Sequence, residues 1–466
     1  MRAAVCVAAL TALLSTFFAL AAAHAHASTA TRLVVRFKHD VPAATRAATL
    51  RSAGVRPVAE PIAGAQVVAP RDGVTPAYAL RWLRARRPVA WAELSLPARA
   101  AYVPNDSGVV SAAGPPAGWA TVQWELNGPF GINAPTAWSQ VSRLGGSGGR
   151  GITVAILDSG VAYTRRGPFA PSPDLDAERF VRGYDFIDDD PYPNDEFGHG
   201  TFVASIVGAT ANNAFGTVGV AYRSKIMPVR VLDFEGKSDA ATIARGLRYA
   251  IRRGADVVNL SLELFDAPPL DSAPRSVTTS RTMRSALAAA RAAGVVVVSA
   301  AGNSFDLNVP GRRYDTLAIN VGGTTEHGCV GDYSNHGPGL DVVAPGGGSD
   351  AVLTGDAKCL QGSLPGRDVS GVSFDVASPQ SFEMLPGFRG TSSAAPHVTG
   401  LVALMLAARV LGSDPKSGDV ERRLERTARD LGVPGRDRYY GWGLIDAAAA
   451  TLPRPVAPPP PVTRSG

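Results

Sequence analysis

Cysteine is nearly absent from this 466-residue chain: only Cys6, Cys329 and Cys359 occur, at spacings that match no metal-binding cysteine pattern. That excludes a zinc-finger or iron–sulfur framework and any small fold stapled by many disulfides. Charge is sparse as well. Asp, Glu, Lys and Arg make up 18% of the residues, and the net charge of +6 comes from arginines scattered through Ala-rich stretches. No basic block interleaves with aromatics, so solvated helix faces explain the charge better than a nucleic-acid surface. Beyond the N-terminal segment no run is long and apolar enough to span a bilayer. What the chain has in quantity is apolar residues, 45% of the total, enough to bury a large core.

The N-terminus reads as an export signal over residues 1–27. Arg2 supplies the positive start, residues 3–23 are almost uncharged, and Ala23-His24-Ala25-His26-Ala27 offers small residues in two cleavage frames. Cys6 would leave with that peptide. Cys329 and Cys359 then either pair, closing a loop of about 30 residues worth roughly 3–4 kcal/mol if unstrained, or stay as two buried thiols.

Residues 28–102 carry the pattern of a small α+β unit: strands at 33–37, 66–69 and 89–93, with helices at 43–53 and 77–86. A Pro-, Gly- and Ser-rich stretch at 103–122 suits a processing linker. From 123 to 450 apolar strand runs (152–157, 256–262, 295–299) alternate with helical patterns (240–253, 281–293, 392–410). Strands that are apolar on both faces and joined by helices predict an α/β, doubly wound, mostly parallel sheet. Residues 451–466 form a Pro-rich tail.

Three short islands stand out in the large segment: Asp158-Ser159-Gly160, Gly198-His199-Gly200-Thr201 and Gly390-Thr391-Ser392-Ser393-Ala394-Ala395-Pro396-His397-Val398. They supply a carboxylate at a strand end, an imidazole entering an apolar helix, and a hydroxyl at a helix start. A serine becomes nucleophilic only when a base takes its proton, and the base needs a carboxylate to fix its tautomer. A fourth island, residues 295–303, is a buried strand ending in Gly302-Asn303. By contrast, Gly145-Gly146-Ser147-Gly148-Gly149 has the Gly-x-Ser-x-Gly spacing of a nucleophile elbow but precedes a strand instead of following one, so it reads as a linker.

In these motifs and their order the chain resembles the subtilisin-like serine peptidases, the subtilase family, with thermitase-like calcium loops. The resemblance covers most of 123–450, with Asp332-Tyr333-Ser334-Asn335, Ala344-Pro345-Gly346 and residues 440–447 adding to it. It implies Ser392 as nucleophile, with Ser393 at the variable position, His199 as base, Asp158 as its orienter and Asn303 as oxyanion donor. It also implies an inhibitor-type propeptide over 28–102, autoprocessing, a secreted and monomeric endopeptidase, and protein or peptide substrates. Substrate walls would be Ser261, Leu262 and Glu263 on one side and Ala300, Ala301 and Gly302 on the other. Two departures stand out: Phe202 where the family has a second histidine, and Glu263 where it has glycine. A carboxylate there either favours basic residues or points to water. Structural Ca2+ is expected at Asp174 with Ala211, Asn213, Phe215, Thr217 and Gln123, and again at Asp185, Asp188, Asp190 and Asn194, oxygen donors suited to a hard cation. A silent scaffold on the same fold or an ester hydrolase would need a different residue set.

Overall fold

The computed structural model describes residues 32–62, 65–94, 104–108, 118–263, 281–305, 317–353, 356, 359 and 364–453. The expected export signal and most of the tail lie outside them. The chain divides into two compact units, Met1–Ala100 and Ala101–Gly466.

In the first unit, strands β1 (Leu33–Phe37), β2 (Val55–Ile62), β3 (Ala65–Pro70) and β4 (Val89–Leu94) form an antiparallel sheet in the order β2-β3-β1-β4. Helices α1 (Ala43–Ser52) and α2 (Pro76–Arg84) complete it. The alternation of β1 sends Leu33, Val35 and Phe37 into a core with Leu50, Val68, Ala79 and Leu83. Thr75 caps α2 by accepting the Tyr78 N–H, and Pro76 sits at the first helical position, where its missing N–H costs nothing. Strand β2 was not expected from its sequence. It carries Pro57 and Pro61, and it lies at the sheet edge, where proline is tolerated.

The second unit contains the expected α/β sheet. Seven strands pair in parallel in the order β11-β10-β9-β8-β5-β7-β6: β5 (Thr153–Asp158), β6 (Tyr184–Asp185), β7 (Lys225–Arg230), β8 (Val257–Leu260), β9 (Val296–Ala300), β10 (Ile319–Thr324) and β11 (Val342–Pro345). Both faces are covered. Along β5, Val154 and Ile156 enter one core with helices α3 (Ala134–Arg143), α4 (His199–Gly208), α7 (Thr391–Ala407) and α8 (Ser417–Thr427), while Ala155 and Leu157 enter the opposite core with α5 (Ala240–Arg252) and α6 (Arg281–Ala292). Strand order reverses between β5 and β8, so a crevice opens at their carboxyl ends.

A two-stranded hairpin, β12 (Val369–Asp375) and β13 (Ser378–Phe388), lies against α4. Phe202, which departs from the histidine of the resembled pattern, is fully buried and stacks on Phe388 with ring centroids 3.9 Å apart. The aromatic ring thus anchors the hairpin to the helix that begins at His199. Among the described residues no helix is long and apolar enough to cross a membrane. Cys329 and Cys359 form a disulfide, which resolves the two options left open by the sequence.

Candidate active site

Asp158 ends β5 at the crevice and is fully buried. Its Oδ1 accepts from His199 Nδ1 at 2.7 Å and from the Ser159 N–H at 2.8 Å, while its Oδ2 is buried without a partner. The glycines of the two islands explain how they meet. A Cβ on Gly200 would strike the Gly160 carbonyl and the Asp158 side chain, and Gly160 itself has φ +105°, a region that favours glycine. Burial works against the charged imidazole of His199. The charge of Asp158, its hydrogen bond and the more distant charge of Asp195 outweigh that, and the pKa is held above the ordinary histidine value.

Ser392 lies in the first turn of α7, whose leading N–H groups have no intrahelical acceptor. It is half-buried, whereas Ser393 is 1% exposed with its hydroxyl unpartnered, so only Ser392 presents its hydroxyl to the cleft. Pro396 cannot donate to the Ser392 carbonyl four residues back. That carbonyl instead accepts from Ser261 Oγ at 2.8 Å, and Ser392 Oγ donates to the Ser261 carbonyl at 3.2 Å. Asn259 Nδ2 donates to Ser261 Oγ, and Thr399 Oγ1 donates to Asn259 Oδ1, extending the network about two turns along the same face of the helix. No hydrogen bond joins Ser392 to His199 in this rotamer, although both line one cleft of about 690 Å³. Asn303 Oδ1 accepts from the Thr391 N–H and hydroxyl at 2.8 and 3.0 Å, which leaves the Nδ2 end of the amide free to face the cleft.

The same cleft is lined by Ser261, Leu262, Glu263, Ala300 and Gly302. Ala301, expected as wall, is instead fully buried, in a core with Val330 and Leu340. Asp195 had not been singled out from sequence. It is 1% exposed and accepts from Ser159 Oγ, the N–H groups of Phe197, Gly198 and Thr201, and Thr201 Oγ1. It ties the strand end that carries Asp158 to the helix start that carries His199. An acidic residue four before the histidine was the available signal.

The two expected metal loops differ. Asp174 is fully buried, and its carboxylate accepts only from neutral donors: Asn213 Nδ2, the Thr217 N–H and Thr217 Oγ1. Burial pushes its carboxyl up to about 7, against the opposing hydrogen bonds from Thr217 and Asn213. Gln123 is not turned to Asp174. Both ends of its amide bind Val218, accepting from its N–H and donating to its carbonyl. The second acid at this loop is Asp106, 2% exposed, which accepts from the Asn212 and Asn213 N–H groups. Asp106 belongs to the stretch expected as a processing linker, yet Asn105 and Gly108 are also bonded to the 211–217 loop.

In the second loop the protein supplies its own cations. Arg230 Nη1 bonds Asp185 and Asp188 at 2.8 and 2.7 Å and its Nη2 bonds Glu196, while Arg166 bonds Asp190 at 3.0 Å. Asn194 Nδ2 donates to the Thr164 carbonyl, and Asn194 Oδ1 is left buried and unpartnered. Asp185, Asp188 and Asp190 are thus already paired with guanidinium groups of the chain, whereas the Asp174 carboxylate is hydrogen-bonded by neutral groups.

The profile of the subtilase family matches residues 149–443. The chain belongs to the subtilase family. Alkaline elastase YaB of a Bacillus species is 33% identical over 77% of this chain and 76% of its own length. Subtilisin BL of Lederbergia lenta is 32% identical over 69% of this chain and 98% of its own. A solved protease structure from Pseudoalteromonas arctica superposes with a TM-score of 0.57 at 29% identity, covering 75% of this chain and 99% of that one. This subtilase is accordingly a serine-type endopeptidase, and its substrates are peptides.

Proposed function

We propose that this subtilase cleaves internal peptide bonds through Asp158, His199 and Ser392. The observation that carries the reading is the 2.7 Å contact between Asp158 Oδ1 and His199 Nδ1, with Ser392 at the head of α7 in the same cleft. Asp158 holds the proton on Nδ1, so Nε2 is the free base. Ser392 turns about its Cα–Cβ bond away from the Ser261 carbonyl, as apo sites commonly require. Its Oγ bonds to the scissile carbonyl carbon as its proton passes to Nε2. The oxyanion accepts from Asn303 Nδ2 and the Ser392 N–H. His199 returns the proton to the departing amine; water then repeats the cycle and releases the acid.

We infer further, from the sequence pattern, an exported zymogen: signal over 1–27, propeptide over 28–102, processing linker over 103–122, peptidase over 123–450. The segment around Asp106 is bound into the second unit, which favours a cut before residue 104 over one later in the linker. Asp174 and Asp106, with Asn213 and the carbonyls of Ala211, Phe215 and Thr217, would hold a structural Ca2+. Such an ion would bring positive charge to the two buried carboxylates. Labelling with a fluorophosphonate tests the core of this reading. Adduct on Ser392, abolished in Ser392→Ala, supports it; processed protein that resists labelling leaves only a silent scaffold.

A further inference from the structure

Glu263 closes the end of one cleft wall, following Ser261 and Leu262, and its side chain crosses to the facing wall. Its Oε2 accepts from the Asn303 N–H at 3.2 Å, and its Oε1 accepts from Asn335 Nδ2 at 3.2 Å. The carboxylate lies so close over Gly302 that a Cβ added there would run into Oε1. Asn335 is itself fixed, since its Nδ2 also donates to the Ala301 carbonyl and its Oδ1 accepts from the Ser304 N–H. The carboxylate is therefore seated by an amide side chain and a backbone N–H, and is not a loose surface group.

Both of these donors are neutral. Among the described residues no Lys, Arg or His forms an ion pair with Glu263, and Lys237, the lysine of this cleft, is bonded to Glu235 at 2.6 Å. Among the described residues the negative charge thus faces the cleft without a counter-ion. Resting on the peptidase reading above, a substrate whose carbonyl carbon is at Ser392 Oγ and whose oxygen is at Asn303 Nδ2 has its preceding Cα between residues 261–263 and 300–302. The side chain of that residue, P1, enters the gap that the carboxylate spans.

We infer that Glu263 is a specificity-determining residue that selects lysine or arginine at P1. A large apolar P1 side chain would have to displace the carboxylate from its two donors or strip its water with nothing in return. A cationic P1 side chain supplies the missing partner in a partly enclosed site, where charge pairs are screened less than at the surface.

The test uses purified, processed enzyme and matched peptide substrates that differ only at P1: Arg, Lys, Ala, Leu and Phe. The wild-type protein is expected to favour Arg and Lys over Leu and Phe by about tenfold or more in kcat/KM, with the preference shrinking as salt rises. Glu263→Gln keeps the shape and one of the two accepted hydrogen bonds, since its amide nitrogen cannot accept, and should flatten that preference. Glu263→Gly should flatten it and raise Leu and Phe. A wild-type preference for Ala or for large apolar residues, or a basic preference that survives Glu263→Gln, overturns the assignment. Fluorophosphonate labelling in the same samples separates the two readings. Labelled enzyme without a basic preference overturns the P1 assignment and leaves the peptidase intact; unlabelled enzyme overturns both.

Discussion

Asp158 and Asp174 are both fully buried carboxylates close to the sheet, and they solve the same electrostatic problem in opposite ways. Asp158 faces an imidazole that can take up charge, so its partner is built into the chain. Asp174 faces an amide, a hydroxyl and a backbone N–H, and its carboxyl is driven up to about 7. The acidic loop at Asp185 sides with Asp158, because Arg230, itself 3% exposed at the side chain, brings a guanidinium to it. The lesson is that a count of acidic residues does not identify a metal loop. What matters is whether the protein already provides the cation.

The sharpest way to break the catalytic half of this comparison is to remove the proposed nucleophile or the proposed base. Ser392→Ala or His199→Ala should each reduce kcat by about 10⁶-fold, measured on a peptide substrate, with thermal stability nearly unchanged. Asp158→Asn should cost about 10⁴-fold, because the neutral amide favours the wrong imidazole tautomer. Removing the cation from the second loop should hurt stability instead. Arg230→Met strands three carboxylates and should destabilise by about 3–5 kcal/mol in denaturant unfolding, while labelling of the surviving folded fraction continues.

At Asp174 the expected dependence is on added ion. Calcium at about 100 times its Kd should stabilise by about 2.7 kcal/mol and raise Tm by roughly 5 °C or more, chelator should reverse this, and Asp174→Asn should abolish the response. A calcium response that persists in Asp174→Asn would place an ion in the Asp185 loop after all. The smallest effect concerns Asp195, whose charge helps raise the His199 pKa. Activity needs the neutral imidazole, so it emerges as pH climbs through that raised value. Over the same range the stabilisation of the charged His199–Asp158 pair, present in full below the unfolded histidine value, is lost. Asp195→Asn should therefore move the acid limb of kcat/KM to lower pH; a limb that stays in place would reduce Asp195 to a purely structural anchor.

Legibility followed the range of the forces involved. The strand at Leu33–Phe37 and the helix at Ala240–Arg252 were readable because their apolar periodicity and caps are local, as with Asp239 accepting from the Ala241 and Thr242 N–H groups. Strand β10 contains Gly322 and Gly323, and β13 contains Pro379, so neither looks like a strand alone; neighbours hold them in place. The motif residues Asp158, His199, Asn303 and Ser392 were readable because each needs a particular local backbone. The roles of Arg230, Asp106 and Asn259 were not, and Asn335 was legible only as part of a family motif, since nothing near them in sequence says what they will meet.

The amino-acid order alone settled the sheet class, the succession of acid, imidazole and hydroxyl, and the small residues that let those segments touch. Hydrophobic periodicity and steric need are properties of adjacent residues, which is why they can be read directly. Only the folded chain decided which carboxylates obtain a cation and which do not, and that Glu263 lies across the cleft. Coulomb energy and desolvation depend on distances between residues far apart in the chain, and those distances exist only once it has folded.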